Sequence, residues 1–193
     1  MKKNTKIFIL ISVIIVLILI IANWKKFFQK VVKPISAIIQ TPIKNNYFMD
    51  LHPAHADQFE KFTQRVEDET DYTLIYTSGY RSFAEQEKLY NQNNQNAKPG
   101  YSMHNYGMAI DINATNGTNY LSKSDTKVDW ESSGIPAIAK DMGFTWGGDF
   151  KTYHDPVHIG LDGKYNTSTL RALAFNQFGS DPNNIFGNQI NLA

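Results

Sequence analysis

The 193-residue sequence contains no cysteine, and this absence excludes several classes of site at once. Disulfide bridges, thiolate-ligated zinc sites and cysteine nucleophiles all need that side chain. Histidines and carboxylates must therefore carry any metal or acid–base chemistry. Because exported proteins can fold without disulfides, the absence does not decide the compartment. The length suits one domain with a core of its own.

Acidic residues are missing from the first part of the chain. Residues 1–46 contain none of the 18 Asp and Glu but 8 of the 19 Lys and Arg. The rest of the chain has 11 basic against 18 acidic residues, a formal charge of −7. Non-specific binding of nucleic acid needs a basic protein surface, and residues 47–193 are acidic. We therefore expect no nucleic-acid partner. The charge pattern predicts a basic anchor that carries an acidic domain.

One long apolar run dominates this basic part. Residues Ile7 to Ala22 include a single polar residue, Ser12, and lysines flank the run on both sides. A helix here would span about 24 Å at ~1.5 Å per residue, and flanking Lys with Trp24 suits a membrane interface. Residues 1–23 are therefore predicted to be a single-pass transmembrane anchor. A cleaved signal peptide is the alternative, although no small-x-small cleavage site follows. Lysines on both sides leave the orientation open.

Residues 24–46 are predicted to be a basic juxtamembrane segment and linker. Phe, Val and Ile are mixed there with Lys, and Pro34 and Pro42 interrupt the segment. A short helix lying at the membrane surface and an ordinary tether both fit this composition.

The remaining sequence mixes helix and strand signals. Ser82 followed by Glu85 is a capping box, which predicts a helix that starts directly after Arg81. Residues 72–82 have the β-branched and aromatic composition of a strand, so Arg81 lies at a strand-to-helix junction, where side chains tend to face a cleft. Helical spacing or composition predicts further helices over 56–69, from about Pro136 to Gly143, and near the C-terminus in "TSTLRALAFNQF".

The stretch "SMHNYGMAID" places His104 and Asp111 seven positions apart. Met108 to Asp111 alternate as in a strand, and residues seven apart on a regular strand face opposite sides. The two side chains can meet only if the chain bends between them, and we expect the bend at Gly107. From this stretch alone, a hydrogen-bonded buried pair and one half of a metal site both remain open.

Adding His158 gives two imidazole nitrogens and one carboxylate. Three such ligands with an open position are typical of catalytic zinc, although manganese and iron also accept this ligand set. Asp155 lies three residues before His158, close enough to act as a base beside a metal without ligating it. Arg81 is a candidate to hold a substrate carboxylate or a developing oxyanion.

These pieces stand in an order that resembles a known family. The matching segments are "LHPAHADQFEKF", "SGYRSFAEQEKLY", "SMHNYGMAIDI", "VDW" and "GFTWGGDFKTYHDPVHI", over about residues 50–160. The sequence resembles the zinc peptidases of bacterial cell walls. These include D-Ala-D-Ala carboxypeptidases of the vancomycin-resistance type and L-alanyl-D-glutamate endopeptidases of bacteria and phages.

The resemblance implies Zn²⁺ on His104, Asp111 and His158, Asp155 as general base, and Arg81 as a substrate or transition-state binder. It also implies an α+β fold of the DD-peptidase/hedgehog-like kind, in which a small antiparallel sheet carries the metal site and helices pack on it. We expect the peptidase domain over 47–165 and a C-terminal helix and tail over 166–193.

The sequence also departs from the family pattern near the predicted base. The family often has Glu at the position of Asp155, and Asp is the endopeptidase-like variant. Val157 and Ile159 replace an expected proline and aromatic residue, changes that should leave metal ligation intact. Ser102 and Gln86 are expected to support the site through hydrogen bonds.

The predicted function is a membrane-anchored zinc peptidase that hydrolyses peptidoglycan stem peptides, with the L-Ala–D-Glu bond favoured. A D-Ala-D-Ala carboxypeptidase is the nearest alternative, and a non-catalytic zinc-containing wall-binding or structural module is an alternative of another class. The catalytic domain is expected on the cell-wall side of the membrane. A bacterial envelope and the membrane of a phage virion both fit the sequence.

Overall fold

The computed structural model describes residues 50–192, and the sheet and helices below lie within that range. The predicted anchor (1–23) and linker (24–46) lie outside the described residues. Among residues 50–192, no helix has both the length and the apolar character needed to cross a membrane.

A five-stranded antiparallel sheet forms the centre of the described region. Its path runs β1-β2-β5-β4, and β3 pairs with the end of β2 opposite to the end that pairs with β5. The strands are β1 (Thr73–Ser78), β2 (Ala109–Thr115), β3 (Tyr120–Leu121), β4 (Thr145–Trp146) and β5 (His158–Gly160). The expectation of a small antiparallel sheet within an α+β fold is confirmed.

Five helices accompany the sheet within residues 50–192: α1 (Ala56–Glu69), α2 (Phe83–Gln92), α3 (Lys127–Ser132), α4 (Ile135–Asp141) and α5 (Thr167–Phe178). The predicted start of α2 is confirmed, because the Ser82 hydroxyl accepts from the Glu85 backbone N–H and the Glu85 carboxylate accepts from the Ser82 backbone N–H. Helix α3 was not predicted. It is only six residues long, too short to show a helical period, although Thr126 and Asp129 form a second capping box.

Aromatic and aliphatic side chains of α1 supply one part of the core. Phe59, Phe62 and Val66 lie on one face of this helix and are fully buried, as their helical spacing predicts. The ring centroid of Phe144 lies 4.7 Å from that of Phe59 and 5.6 Å from that of Phe62. Burying a side chain of this size contributes about 1.5–3 kcal/mol, so this face holds α1 in place.

The predicted bend between His104 and Asp111 occurs at Gly107. A 3-10 turn over Met103–Tyr106 carries His104 and ends at Gly107, whose φ of +62° is disfavoured for residues with a side chain. The Gly107 carbonyl accepts a 2.9 Å hydrogen bond from the His52 backbone N–H. A Cβ on Gly107 would lie 2.5 Å from that same nitrogen. Glycine is therefore required by both the backbone conformation and the close packing.

The register of the sheet places three polar residues in one row. Asp111 of β2 lies directly opposite His158 of β5 on one side and opposite Ser78 of β1 on the other. The pairing of β1 shifts between Tyr76 and Ser78, as in a β-bulge, and this shift brings Ser78 opposite Asp111. Directly opposed residues of an antiparallel sheet share a face, so Ser78, Asp111 and His158 lie on the same face of the sheet.

We predict that Gly107→Ala destabilises the fold more than Gly117→Ala. Both glycines have positive φ, but a Cβ at Gly117 meets nothing within 4 Å, so that variant isolates the backbone strain. We expect a loss of about 1–2 kcal/mol for Gly117→Ala and about 3–5 kcal/mol for Gly107→Ala, which adds a backbone clash. Urea unfolding followed by circular dichroism measures both values. Equal losses in the two variants would show that the contact with residue 52 imposes no constraint.

Candidate metal centre

The structure brings His104, Asp111 and His158 together in one cluster. One candidate ligand atom from each residue lies within 4.8 Å of the other two. Nε2 of His104 is 3.2 Å and Nδ1 of His158 is 3.5 Å from Oδ1 of Asp111. Both histidines are buried, and the Asp111 side chain is 20% exposed. The three residues come from a 3-10 turn and two paired strands, so the sheet and the bend at Gly107 together assemble the cluster.

A hydrogen bond to a backbone group outside the cluster orients the ring of His104. Its Nδ1 lies 2.7 Å from the backbone carbonyl oxygen of Gly79, which can only accept a hydrogen bond. Nδ1 therefore carries a proton, and Nε2 is the nitrogen that faces Asp111. Once Nε2 has given up any proton of its own, its lone pair can bind a cation.

His158 is oriented in the same way by a carboxylate. Its Nε2 lies 2.9 Å from Oδ2 of Asp162, so Nε2–H donates to Asp162 and Nδ1 faces the cluster. An outer carboxylate of this kind fixes the ring of a metal-binding histidine and strengthens it as a ligand. Asp162 was missed by the sequence reasoning, although its position four residues after a candidate ligand is a signal that could have found it.

The charges in the cluster are strongly coupled. Burial alone would raise the pKa of Asp111, but hydrogen bonds from His104 and His158 outweigh it and hold that pKa far below its usual range. Burial alone would lower the pKa of His158, but the carboxylates of Asp111 and Asp162 raise it to about 9. The cluster thus attracts positive charge, and a divalent cation bound here would replace the proton on His158.

Arg81 lies at the edge of this cluster. Its Nη2 is 4.0 Å from Oδ2 of Asp111 and donates to the Ser78 hydroxyl at 3.0 Å, while Nη1 donates to Oε1 of Gln86 at 2.9 Å. Gln86 is itself buried and donates to the Ala97 carbonyl, which holds its side chain in place. The guanidinium is thus oriented and 22% exposed beside the candidate ligands. Ser102, also expected to support the site, contributes its backbone carbonyl to the Asn105 N–H.

Asp155 is held next to the cluster by its own backbone. Its carbonyl accepts from the His158 N–H at 3.0 Å, and its N–H donates to the Gly147 carbonyl at 3.2 Å. The indole N–H of buried Trp146 donates to the Pro156 carbonyl, which fixes the same turn. A Cβ on Gly147 would lie 2.3 Å from the Asp155 carbonyl oxygen. The "WGGD" motif therefore packs against the turn that connects the predicted base to His158.

Two exposed residues near Asp155 were not predicted. Nζ of Lys123 lies 3.1 Å from the buried Oδ1 of Asp155, although the two atoms lack hydrogen-bond geometry. Burial raises the pKa of the Tyr153 phenol, and the negative charges of Asp155, Asp162 and Asp111 raise it further. This side chain therefore lies in the field of all three carboxylates while remaining largely exposed.

The cluster fits a divalent metal ion. It offers two imidazole nitrogens and one carboxylate oxygen, and the partners outside the cluster leave the second nitrogen of each ring directed inward. Three protein ligands of this kind leave a coordination position for water or substrate. Arg81 supplies a positive group beside the cluster, and Asp155 supplies a carboxylate on the turn that leads into His158. The arrangement can therefore support hydrolysis of a polar bond.

Comparison with known proteins agrees with the resemblance seen in the sequence. Residues 95–161 match the family model described as D-alanyl-D-alanine carboxypeptidase. The chain is 37% identical over 100 residues to the peptidoglycan L-alanyl-D-glutamate endopeptidase CwlK of Bacillus subtilis (strain 168). That match covers 45% of this chain and 59% of the relative, which is less than two thirds of its length. The similarity to this family of cell-wall peptidases is thereby confirmed for the segment that carries the cluster.

Two solved structures share part of the backbone arrangement. The L-Ala D-Glu endopeptidase ChiX of Serratia marcescens is 20% identical with a TM-score of 0.46, covering 71% of this chain and 90% of that one. A variant of the vancomycin-resistance D,D-pentapeptidase VanY in complex with Zn(II) is 17% identical with a TM-score of 0.45, covering 63% of this chain and 78% of that one.

We predict that the cluster binds one zinc ion per chain and that Asp162 tunes its affinity. His104→Ala and His158→Ala each remove a ligand and should abolish stoichiometric binding. Asp162→Asn keeps all three ligands but replaces the carboxylate that accepts the His158 hydrogen bond with a neutral amide. We therefore expect the affinity for zinc to fall by about 10–100-fold. Metal content by mass spectrometry and competition with a chelating dye measure these effects.

His154→Ala is the matched control for zinc binding. Its Nε2–H donates to the backbone carbonyl of Asp125 and it is not part of the cluster, so its zinc affinity should equal that of the wild type. Unchanged affinity in Asp162→Asn, with circular dichroism showing an intact fold, would contradict the role assigned to Asp162.

Proposed function

Starting from this family relationship, we propose that the protein is a zinc-dependent peptidase that hydrolyses peptidoglycan stem peptides, with the L-Ala–D-Glu bond preferred. The observation that carries the proposal is the His104–Asp111–His158 cluster with Asp155 tied to the same turn as His158. The choice of bond is supported by the 37% identity to an L-alanyl-D-glutamate endopeptidase. An Asp at the base position, the endopeptidase-like variant, supports it further.

The ligand set suits zinc among the divalent metals. Carboxylate and imidazole ligands also accept manganese or iron, but zinc is the ion that best supports hydrolysis without redox chemistry. When bound by His104, Asp111 and His158, a zinc ion would polarise the scissile carbonyl and lower the pKa of a water molecule.

Asp155 is proposed to carry the proton of the reaction. Hydrolysis places the hydroxyl group of one water on the L-Ala carbonyl carbon, breaks the C–N bond, and adds the remaining proton to the D-Glu amine. The Asp155 carboxylate accepts that proton from water and then delivers it to the leaving amine. Its side chain is 20% exposed, so it can reach a substrate, while its backbone hydrogen bond to His158 keeps it beside the metal ligands.

Arg81 is proposed to stabilise negative charge on the scissile carbonyl oxygen. Ser78 and Gln86 hold the guanidinium beside Asp111, so its orientation does not have to be created during the reaction. A preorganised cation next to a developing oxyanion lowers the barrier more than a mobile one does.

A membrane anchor is also proposed, with the catalytic domain on the cell-wall side. The support is the apolar run within residues 1–23, the lysines on both sides of it, and the acidic composition of the rest of the chain. Such an enzyme would act on wall close to a bacterial envelope or to the membrane of a phage virion.

A D-Ala-D-Ala carboxypeptidase is the second candidate function. It is favoured by the family model that matches residues 95–161, whose description names that activity. A wall-binding or structural module without catalysis is the alternative of another class. The presence of both Asp155 and Arg81 beside the cluster argues for catalysis.

We predict that digestion of purified muropeptides by the zinc-loaded protein creates a new D-Glu amine terminus, detected by mass spectrometry. Asp155→Asn should lower kcat by about 10²–10⁴-fold because it removes the proton carrier, while zinc content stays unchanged. Asp57→Asn, an exposed carboxylate on α1, is the matched control and should keep full activity.

The other outcomes identify the rival functions. Release of single D-Ala residues would favour the carboxypeptidase, and binding to sacculi without any new terminus would favour the wall-binding module. Undiminished cleavage by Asp155→Asn would contradict the mechanism.

A further inference from the structure

Lys123 brings a positive group next to the proposed base. Its ammonium nitrogen lies 3.1 Å from Oδ1 of Asp155, and its side chain is 71% exposed. Oδ1 is buried and accepts no hydrogen bond from residues 50–192, so the ammonium group is a charged neighbour of this oxygen without a directed bond. An ion pair with one partner so exposed contributes little to stability and is easily exchanged for another.

The backbone of Lys123 is nevertheless fixed in place. It lies in a turn over residues 122–125, in which the Asp125 carboxylate accepts from both the backbone N–H and the hydroxyl of Ser122. The Ser122 carbonyl accepts from the indole N–H of the fully buried Trp130. The Asp125 carbonyl accepts from Nε2–H of His154, the residue next to Asp155. The turn thus holds an exposed lysine side chain next to the proposed base.

The chemistry of the leaving group brings a substrate carboxylate close to Asp155 and Lys123. In the proposed reaction Asp155 gives its proton to the D-Glu amine, so that nitrogen must come within hydrogen-bond distance of Asp155. D-Glu continues the stem peptide through its side-chain carboxyl, which leaves its α-carboxyl group free. The amine nitrogen and the α-carboxyl carbon are attached to one carbon atom and lie about 2.5 Å apart by standard bond lengths. The α-carboxylate therefore approaches Asp155, whose Oδ1 lies next to the Lys123 ammonium group.

We propose that Lys123 binds the α-carboxylate of the residue whose amine leaves, and exchanges Asp155 for this carboxylate when substrate binds. This inference rests on the proposed function and adds a specificity residue to it. In this exchange the Lys123 side chain leaves Asp155 and forms an ion pair with the substrate carboxylate. The exchange also makes the site selective for a stem peptide whose D-Glu carries a free α-carboxylate over one in which that group is an amide.

Arg81 is not available for the same task. Its guanidinium is already bonded to Ser78 and Gln86 and lies 4.0 Å from Asp111, on the side of the cluster formed by β1. Lys123 contacts Asp155, on the turn before β5. The two cations therefore serve different ends of the scissile bond, with Arg81 at the carbonyl oxygen and Lys123 beyond the amine.

The test uses two synthetic stem peptides that differ only at the α-carboxyl group of D-Glu, one acid and one amide. The zinc-loaded wild type, Lys123→Met and Lys123→Arg are compared by steady-state kinetics on both peptides. We expect the wild type to prefer the acid by about tenfold in kcat/KM, a magnitude in keeping with one partly exposed ion pair. Lys123→Met should lose this preference through a higher KM for the acid, and Lys123→Arg should retain most of it.

Lys61→Met is the matched control, because it removes the same charge from an exposed position on α1. It should leave the acid-to-amide ratio unchanged. A wild type that cleaves both peptides equally well, or a Lys123→Met variant with the wild-type ratio, would overturn the role of Lys123 while leaving the hydrolytic function intact. A wild type that cleaves neither peptide would overturn the proposed function and this inference together.

Discussion

The antiparallel pairing of β2 with β5 is the constraint on which the rest of the site depends. It places Asp111 directly opposite His158, so that one carboxylate and one imidazole share a face of the sheet. Because side chains alternate along a strand, a slip of one residue would turn one of these groups to the other face. The register thus does more than hold the sheet together. It fixes the distance between two candidate ligands, and the bend at Gly107 needs only to bring His104 to the same point.

Burying this cluster has a cost that the surrounding residues reduce. A buried charge or polar group is strongly unfavourable unless it is paired. His104 is paired through Gly79 and His158 through Asp162, and both face Asp111, so each group has a partner before any metal arrives. An apolar trio of similar volume would pack in the same space without these requirements. Retaining polar groups here is therefore better explained by cation binding than by stability.

Much of the fold and of the site could be predicted from local sequence patterns. The capping box at Ser82, the apolar face of α1 and the bend at Gly107 each follow from residues within a few positions of one another. Lys123 could not be predicted in this way. The contact between Lys123 and Asp155 joins two loops 32 positions apart, and it depends on how Trp130 and His154 anchor the turn between them. No local spacing encodes such a contact.

The site divides into a rigid part and an adaptable part, and the position of Asp155 connects them. The candidate ligands come from strands and a tight turn and are mostly buried, whereas Lys123 is exposed on a surface turn, where recognition residues commonly lie. Asp155 belongs to both parts, because its backbone is bonded to His158 and its side chain faces Lys123. The proposed base can therefore keep a constant relation to the candidate metal ligands while, in the proposed exchange, Lys123 changes partner. A substrate without a carboxylate would leave the Lys123 ammonium group next to Asp155. The positive charge would then make the Asp155 carboxylate a weaker proton acceptor and slow the proposed reaction.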